Sequence, residues 1–402
     1  MKIAMVSEHA NPLATLRGVD AGGQNVHVAE LSAALCRDGH DVVVYTRRDD
    51  PDTDAEVTAP AGYRVVHVPA GPPRYLPKDE LFEHMPAFGR FLLQEWEHDR
   101  PDITHAHFWM SGVATHLAAE PLGLPAIQTF HALGSVKRRY QGAADTSPAF
   151  RIETEQRLAQ DADFVAATCS DEVFELVRMG LSRPRAVVVP CGVDITAFSP
   201  QGPIAPRASR YRLVTAGRLV PRKGFEIAIR ALAGIPETEL VIAGGPMEGT
   251  LEEDAEARRL LAVADEVGVR DRVHMPGAVS RSDMPALFRS ADAVVCVPWY
   301  EPFGMVPIEA MACGRPVIAA AVGGMLDTVV DGVTGRLVPA RDPQALAASA
   351  TALLEDDAAR HQYGLAARER ARKRYSWDRV AAETLRVYHR AMPPVMAERN
   401  AR

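Results

Sequence analysis

The chain has 402 residues, 47% of them hydrophobic and 24% charged, and carries a formal net charge of −7. That length calls for two cores of about 150 to 200 residues each rather than one, and the composition excludes a disordered or fibrous protein. A negative balance supplies no broad attraction for nucleic acid or an anionic membrane, so the basic runs Lys137-Arg138-Arg139 and Arg372-Lys373-Arg374 read as solvated helix ends.

The chain opens on MKIAMVSEHANP, whose apolar run is too short for a signal peptide and reads directly into a strand over residues 2–6. An amphipathic helix over 24–36 and a buried strand over 41–46 complete a βαβ unit. Further strands are predicted at 63–68, 103–107, 126–130, 164–167 and 186–189, mostly separated by helix-length segments. Such alternation argues for a parallel, doubly wound sheet. The stretch FSPQGPIAPRAS, residues 198–209, has three prolines, a glycine and no periodicity, and reads as a linker. The alternation then restarts, with strands at 212–216, 239–243, 272–275, 293–297, 317–320 and 336–338 and helices at 225–233 and 251–267. From about residue 342 the sequence is helical nearly to its end, with Trp377, Val380, Leu385 and Tyr388 on one apolar stripe.

The expected architecture is therefore α/β, with two doubly wound Rossmann-like domains at 1–197 and 210–375 and a terminal segment at 376–402. Open sheets of this kind bind ligands outside the carboxyl ends of their strands, so function is expected in the loops that follow strands, facing a cleft. Five scattered cysteines (Cys36, Cys169, Cys191, Cys296, Cys313) with no C-x-x-C pair suggest neither a disulfide framework nor a zinc ribbon. Together with the absence of any run near eighteen apolar residues, they point to a cytoplasmic protein without a transmembrane segment.

Three stretches stand at strand ends. Gly22 and Gly23, in GVDAGGQNVHVAE, precede a helix and would let an anion approach its N-terminus, although a plain glycine-rich helix start fits equally. No G-x-G-x-x-G pattern is present, and the second strand ends Tyr45-Thr46-Arg47 without an acid, so a dinucleotide fingerprint is weak. In TAGRLVPRKG, Arg218 and Lys223 straddle a strand-to-helix turn and form a cradle for pyrophosphate, or else a solvated basic turn. In YEPFGMVPIEAMACGRP, Glu301 follows a strand and Glu309 is expected in the first turn of a helix beginning at Pro307. The N–H groups of Phe303, Gly304, Met305 and Val306 lie between them. Paired carboxylates suit the gripping of sugar hydroxyls, one per ring. Complementing a helix dipole would explain Glu309 but not Glu301.

Other candidates are weaker. His105 and His107 share one face of a strand, yet no third ligand has matching spacing, and no metal site is predicted. RRDDPDTDAE looks like the acidic pair of metal-dependent sugar transferases, but its proline and alternating charge mark a solvated loop. His131, in TFHALGSVKRR, follows a strand and so belongs to the expected cleft, unless it is a satisfied structural histidine.

Taken in order, GGQNVHVAELSAAL, HAHFWMSG, TFHALGSVKR, VPCGVD, GRLVPRKG and the Glu-x7-Glu segment resemble the retaining glycosyltransferases of family four, with the GT-B fold, over essentially the whole chain. The resemblance implies a nucleotide-sugar donor, no cofactor and no metal requirement. Glu301 would hold the donor sugar and Glu309 the ribose. Gly217, Arg218 and Lys223 would hold the diphosphate, Phe303 to Val306 would line it, and Gly22 and Gly23 would approach it. Val279 would meet the base and His131 the reacting centre. It also implies that the final helix crosses back onto the first domain, giving Trp377 and Tyr388 a role. Departure of the diphosphate through an oxocarbenium-like state would need no protein nucleophile.

Within the family the first half is nearest to the inositol-phosphate N-acetylglucosaminyltransferases and sucrose-phosphate synthases. Asn25, Lys78 and Arg151 match acceptor-contacting positions there, whereas Phe108 and Ala132 stand where those enzymes carry hydroxylated residues, which favours a different acceptor. The partners expected are a nucleotide-sugar and a small hydroxylated acceptor, with phosphorylation of the acceptor and oligomerisation of the chain left open. A nucleotide-sugar epimerase or a non-catalytic sugar-nucleotide binder of the same architecture are the alternatives.

Overall fold

A computed structural model of the chain describes residues 1–13, 22–245 and 250–392. It contains two compact units: Met1–Cys191 with Trp377–Arg402, and Gly192–Ser376. Among the described residues no helix is long and apolar enough to cross a membrane.

The first unit is built on eight strands: β1 (Lys2–Val6), β2 (Asp41–Arg47), β3 (Glu56–Thr58), β4 (Arg64–Val68), β5 (Ile103–His107), β6 (Ala126–Thr129), β7 (Phe164–Ala167) and β8 (Ala186–Val188). Their order is β3-β4-β2-β1-β5-β6-β7-β8, all parallel except the β3–β4 pair. β3 was not foreseen, because its three residues EVT follow an acidic loop and show no apolar run; a short charged strand is a common way to blunt a sheet edge.

Strand alternation places successive side chains on opposite faces. Ala4, Val6, Val43 and Tyr45 join a core with Phe88, Leu92 and Trp96 of helix Met85–His98, while Ile3, Met5, Val42 and Val44 join another with Val28 and Leu31 of helix Gly23–Arg37. With both faces covered, the strands read as near-continuous apolar runs. Each large side chain so buried contributes about 1.5–3 kcal/mol.

The last described helix, Trp377–Ala391, belongs to this second core through Trp377, Val380, Val387 and Tyr388. Its Tyr388 hydroxyl meets His105 Nδ1 at 2.8 Å, and His105 Nε2 meets Thr129 Oγ1 at 2.9 Å. Residues 393–402 of the expected terminal segment lie outside the described residues.

The second unit has a six-stranded parallel sheet: β9 (Tyr211–Ala216), β10 (Thr238–Ala243), β11 (Val273–Gly277), β12 (Ala293–Cys296), β13 (Val317–Ala320) and β14 (Gly335–Val338). The order β11-β10-β9-β12-β13-β14 is the 3-2-1-4-5-6 winding, with its switch point between β9 and β12. The helix expected at 251–267 runs Ala255–Glu266, its start fixed by Asp254 Oδ1, which accepts from Ala257 N at 2.8 Å. Asp342 and Asp356 cap helices Pro343–Glu355 and Asp357–Arg374 in the same way and cut the C-terminal helical stretch into pieces.

The proline-rich segment 198–209 is held on this unit. Phe198 packs on Phe288 at 6.2 Å between ring centroids, and Arg289 donates to the carbonyls of Pro203 (2.7 Å) and Ser199 (3.0 Å).

Candidate functional site

In both units the candidate residues stand at or just after the carboxyl ends of strands. In the second unit Gly217 follows β9 with a φ of +145°, and a 3-10 turn, Pro221–Lys223, leads to Gly224. Gly224 has a φ of +73°, and a Cβ there would lie 1.9 Å from the Val297 carbonyl oxygen, so only glycine fits. The turn is thereby pressed against the end of β12, where the next loop begins.

That contact brings Lys223 Nζ within 2.5 Å of Glu301 Oε2, with Arg222 at 3.8 Å from the same oxygen. Burial alone would push the Glu301 carboxyl up; Lys223, Arg222 and Arg218 together hold it below its ordinary value. It is therefore an anion among cations. The Glu301 carbonyl accepts from Gly324 N at 3.0 Å, and a Cβ on Gly323 would lie 2.3 Å from that carbonyl oxygen. The Gly323-Gly324 turn after β13 thus braces Glu301, a role that sequence reading missed.

Gly304, with φ 85° and ψ 102°, starts helix Met305–Ala312. The helix begins two residues before Pro307, which corrects the expected start. Gly304 breaks the extended chain, while the proline nitrogen sits where no intrahelical donor is needed. Glu309 accordingly falls in the second turn, buried, not in the first. Burial pushes its carboxyl up, and Arg281, which donates to its Oε1 at 3.2 Å, opposes this. Arg281 belongs to the loop after β11, three residues past the Gly277-Ala278 turn, where Val279 is half-buried. Phe303 is buried and packs edge-on against Tyr375, so only its backbone is available to a ligand. Met305 and Val306 supply N–H groups of the first helical turn.

In the first unit two adjacent strands end in strained backbone. Phe108, just after β5, has a φ of 81°, and His131, just after β6, a φ of 60°. Left-handed conformations in such residues cost about 1–3 kcal/mol each and gather at working sites. The turn that carries His131 is clamped. Arg151 donates from Nε to Glu155 at 2.7 Å, to the Ala132 carbonyl at 2.8 Å and to Ser147 Oγ at 3.1 Å, while Glu155 accepts from Gly134 N at 2.8 Å. Arg151, expected at the acceptor, spends these donors on holding residues 132–134. His131 Nε2 meets His107 Nδ1 at 3.0 Å. Burial pushes the His131 imidazole well below its ordinary pKa, aided by the charges that His27, His105, His9 and Lys78 can carry, so it is neutral near pH 7.

The other acceptor candidates are local. Lys78 Nζ sits 4.1 Å from the centroid of the Phe108 ring, and His9 meets the same ring edge-on at 5.0 Å. Lys78 shares a pocket with Glu8, His9 and Tyr75. Glu8 was missed, although it follows β1 and the strand-end rule would have flagged it. Burial raises its carboxyl, but His9, Ser111 and Lys78 hold it ionised. Asn25 donates to the Asn11 carbonyl at 3.0 Å and accepts from Gly22 N at 3.4 Å, closing the start of helix Gly23–Arg37. Gly22 is its N-cap and Gly23 its first residue. The acidic stretch after β2 is a surface loop in which Arg48 donates to the carbonyls of Pro51 and Thr53.

Residues 21–197 match the family described as Glycosyltransferase Family 4, and residues 203–370 match Glycosyl transferases group 1. A D-inositol 3-phosphate glycosyltransferase of Xylanimonas cellulosilytica is 38% identical over 97% of this chain and 97% of its own. Another, from Kineococcus radiotolerans, is 35% identical over 100% and 98%. Among solved structures, sucrose-phosphate synthase from Thermosynechococcus elongatus superposes with a TM-score of 0.86 at 30% identity, covering 97% of this chain and 98% of that one. The Anabaena protein HepE in complex with UDP-glucose has a TM-score of 0.71 at 22% identity over 96% and 99%, a likeness of fold alone.

Proposed function

The chain belongs to the family-four glycosyltransferases, of GT-B fold, and on that premise we propose that it moves a sugar from a nucleotide-sugar donor to a small hydroxylated acceptor with retention of anomeric configuration. The observation that carries this reading is the charge arrangement around Glu301: a carboxylate kept ionised by Lys223, Arg222 and Arg218, beside the N-terminus of helix Met305–Ala312. A diphosphate finds there two kinds of donor, side-chain cations and backbone N–H groups. Glu301 then accepts hydroxyl hydrogens of the donor sugar, and Glu309, held by Arg281, those of the ribose. Val279 flanks the base, and Gly217 leaves room for the diphosphate.

In the transfer, the bond from the sugar C1 to the diphosphate oxygen breaks and a bond from C1 to the acceptor oxygen forms on the same face. The acceptor's proton leaves on a diphosphate oxygen. Charge growing on the leaving group is met by Arg218, Lys223 and the helix N-terminus, so neither a metal ion nor a protein nucleophile is needed. His131, neutral, offers hydrogen bonds without adding a charge to the reacting centre. Because the named relatives act on inositol 3-phosphate, a phosphorylated cyclitol is the first acceptor to try. We place the reaction in the cytoplasm, in keeping with five cysteines that are all free thiols.

Melting the protein with UDP, GDP and ADP tests the donor half. The matching nucleotide at 100 times its Kd adds about 2.7 kcal/mol of stability, a rise of several degrees; no shift with any of the three would remove the reading. On the acceptor side, Lys78→Ala is expected to raise KM roughly 10- to 100-fold for a phosphorylated acceptor, the loss of a charge-assisted hydrogen bond. An unchanged KM would take Lys78 out of the acceptor site.

A further inference from the structure

We propose that His27, His107 and His131 form a binding site for a borderline divalent cation of the zinc class, and that filling it turns sugar transfer down. Strand alternation pairs His105 with His107, but both nitrogens of His105 are engaged by Tyr388 and Thr129. His107 groups instead with two residues distant in sequence. Helix Gly23–Arg37 brings His27, and the turn after β6 brings His131; one ring nitrogen from each of the three lies within 4.8 Å of the others.

Nitrogens bound tetrahedrally at ~2.0–2.1 Å from zinc stand about 3.3 Å apart. His107 Nδ1 and His131 Nε2, at 3.0 Å, are already near that spacing. With all three nitrogens within 4.8 Å of one another, a side-chain adjustment of at most about 1.5 Å brings His27 into range. One further observation points to a ligand. His27 Nδ1 is buried without a hydrogen-bond partner among the described residues, an arrangement that ordinarily costs about 1–3 kcal/mol.

The His27 ring is braced by Trp377, edge-on at 5.5 Å. His131 is half-buried. Three imidazoles without a carboxylate select zinc, copper, nickel or cobalt over magnesium or calcium, and leave a fourth position open. The inhibitory consequence rests on the reading that places His131 at the reacting centre, because a metal-bound imidazole no longer offers that nitrogen to the substrate.

Cobalt(II) titrated into metal-free, full-length protein is expected to bind one equivalent with the visible absorption of a tetrahedral nitrogen site. His27→Phe is expected to lose that absorption while retaining sugar transfer, with His27→Gln as a second variant should the first fail to fold. Zinc is expected to inhibit the wild type reversibly, and His27→Phe at least tenfold more weakly. Absence of cobalt binding to the wild type, or binding unchanged in a folded His27 variant, overturns the site. Binding that depends on His27 but leaves activity untouched upholds the site and overturns the inhibition, and with it the place given to His131. Inhibition cannot be mistaken for a missing activity, because binding is read by absorption alone.

Discussion

Replacing Lys223 by alanine is expected to lower kcat by on the order of 10²–10³-fold, the usual loss when one preorganised donor is removed from a developing negative charge. The ammonium is fixed by its 2.5 Å bond to Glu301 and by a turn that Gly224 presses against the Val297 carbonyl, so it requires little reorganisation when the diphosphate departs. Its interaction with a departing diphosphate is stronger than with the same group esterified to the sugar, because charge increases as the bond breaks. Affinity for free nucleoside diphosphate is therefore expected to fall by less than kcat does. Titration calorimetry with the diphosphate beside steady-state rates separates the two; equal losses would mean that Lys223 binds without assisting the departure.

The other large effect concerns stability. Arg151→Leu is expected to cost about 3–5 kcal/mol, because it leaves Glu155 buried and unpaired. Both side chains are almost wholly enclosed, and the pair holds the Ala132 carbonyl and the Gly134 N–H, in the turn that follows strained His131. Activity should fall with stability, since the left-handed turn loses its clamp. The double replacement of Arg151 and Glu155 by leucine is expected to recover much of the stability, as the stranded charge is then gone. Denaturant melts of the single and double variants measure this. A variant as stable as the wild type but with a raised acceptor KM would show instead that Arg151 is a ligand to the acceptor.

These two residues illustrate what the sequence discloses. Lys223 and Glu301 are each legible as strand-end residues beside Gly/Pro punctuation, because buried parallel strands such as VVVY and AVVC stand out as apolar runs and fix where the loops begin. Their pairing is not legible, since 78 positions separate them and only the Gly224 contact brings them together. Arg151 shows the converse: its place in the sequence suggested a ligand, whereas its guanidinium is spent on a buried partner one helical turn away and on the turn beyond. The same limit hid Arg281 behind Glu309 and the Gly323-Gly324 turn behind Glu301. It also hid the meeting of His27 with His107, which no spacing rule within one strand can report. Pro307 misled in a simpler way, because a proline is tolerated throughout the first helical turn and does not by itself locate the first residue.

The central claim is retaining transfer from a nucleotide-sugar. Incubating the protein with UDP-, GDP- and ADP-glucose and their N-acetylglucosamine counterparts, each with inositol 3-phosphate and with unphosphorylated cyclitols, and following products by proton NMR tests it directly. The expected result is release of one nucleoside diphosphate matched by one new glycoside whose anomeric proton keeps the small coupling constant of an α-linked donor. A glycoside of inverted configuration, or a nucleotide-sugar recovered only as its epimer with no diphosphate released, would contradict it.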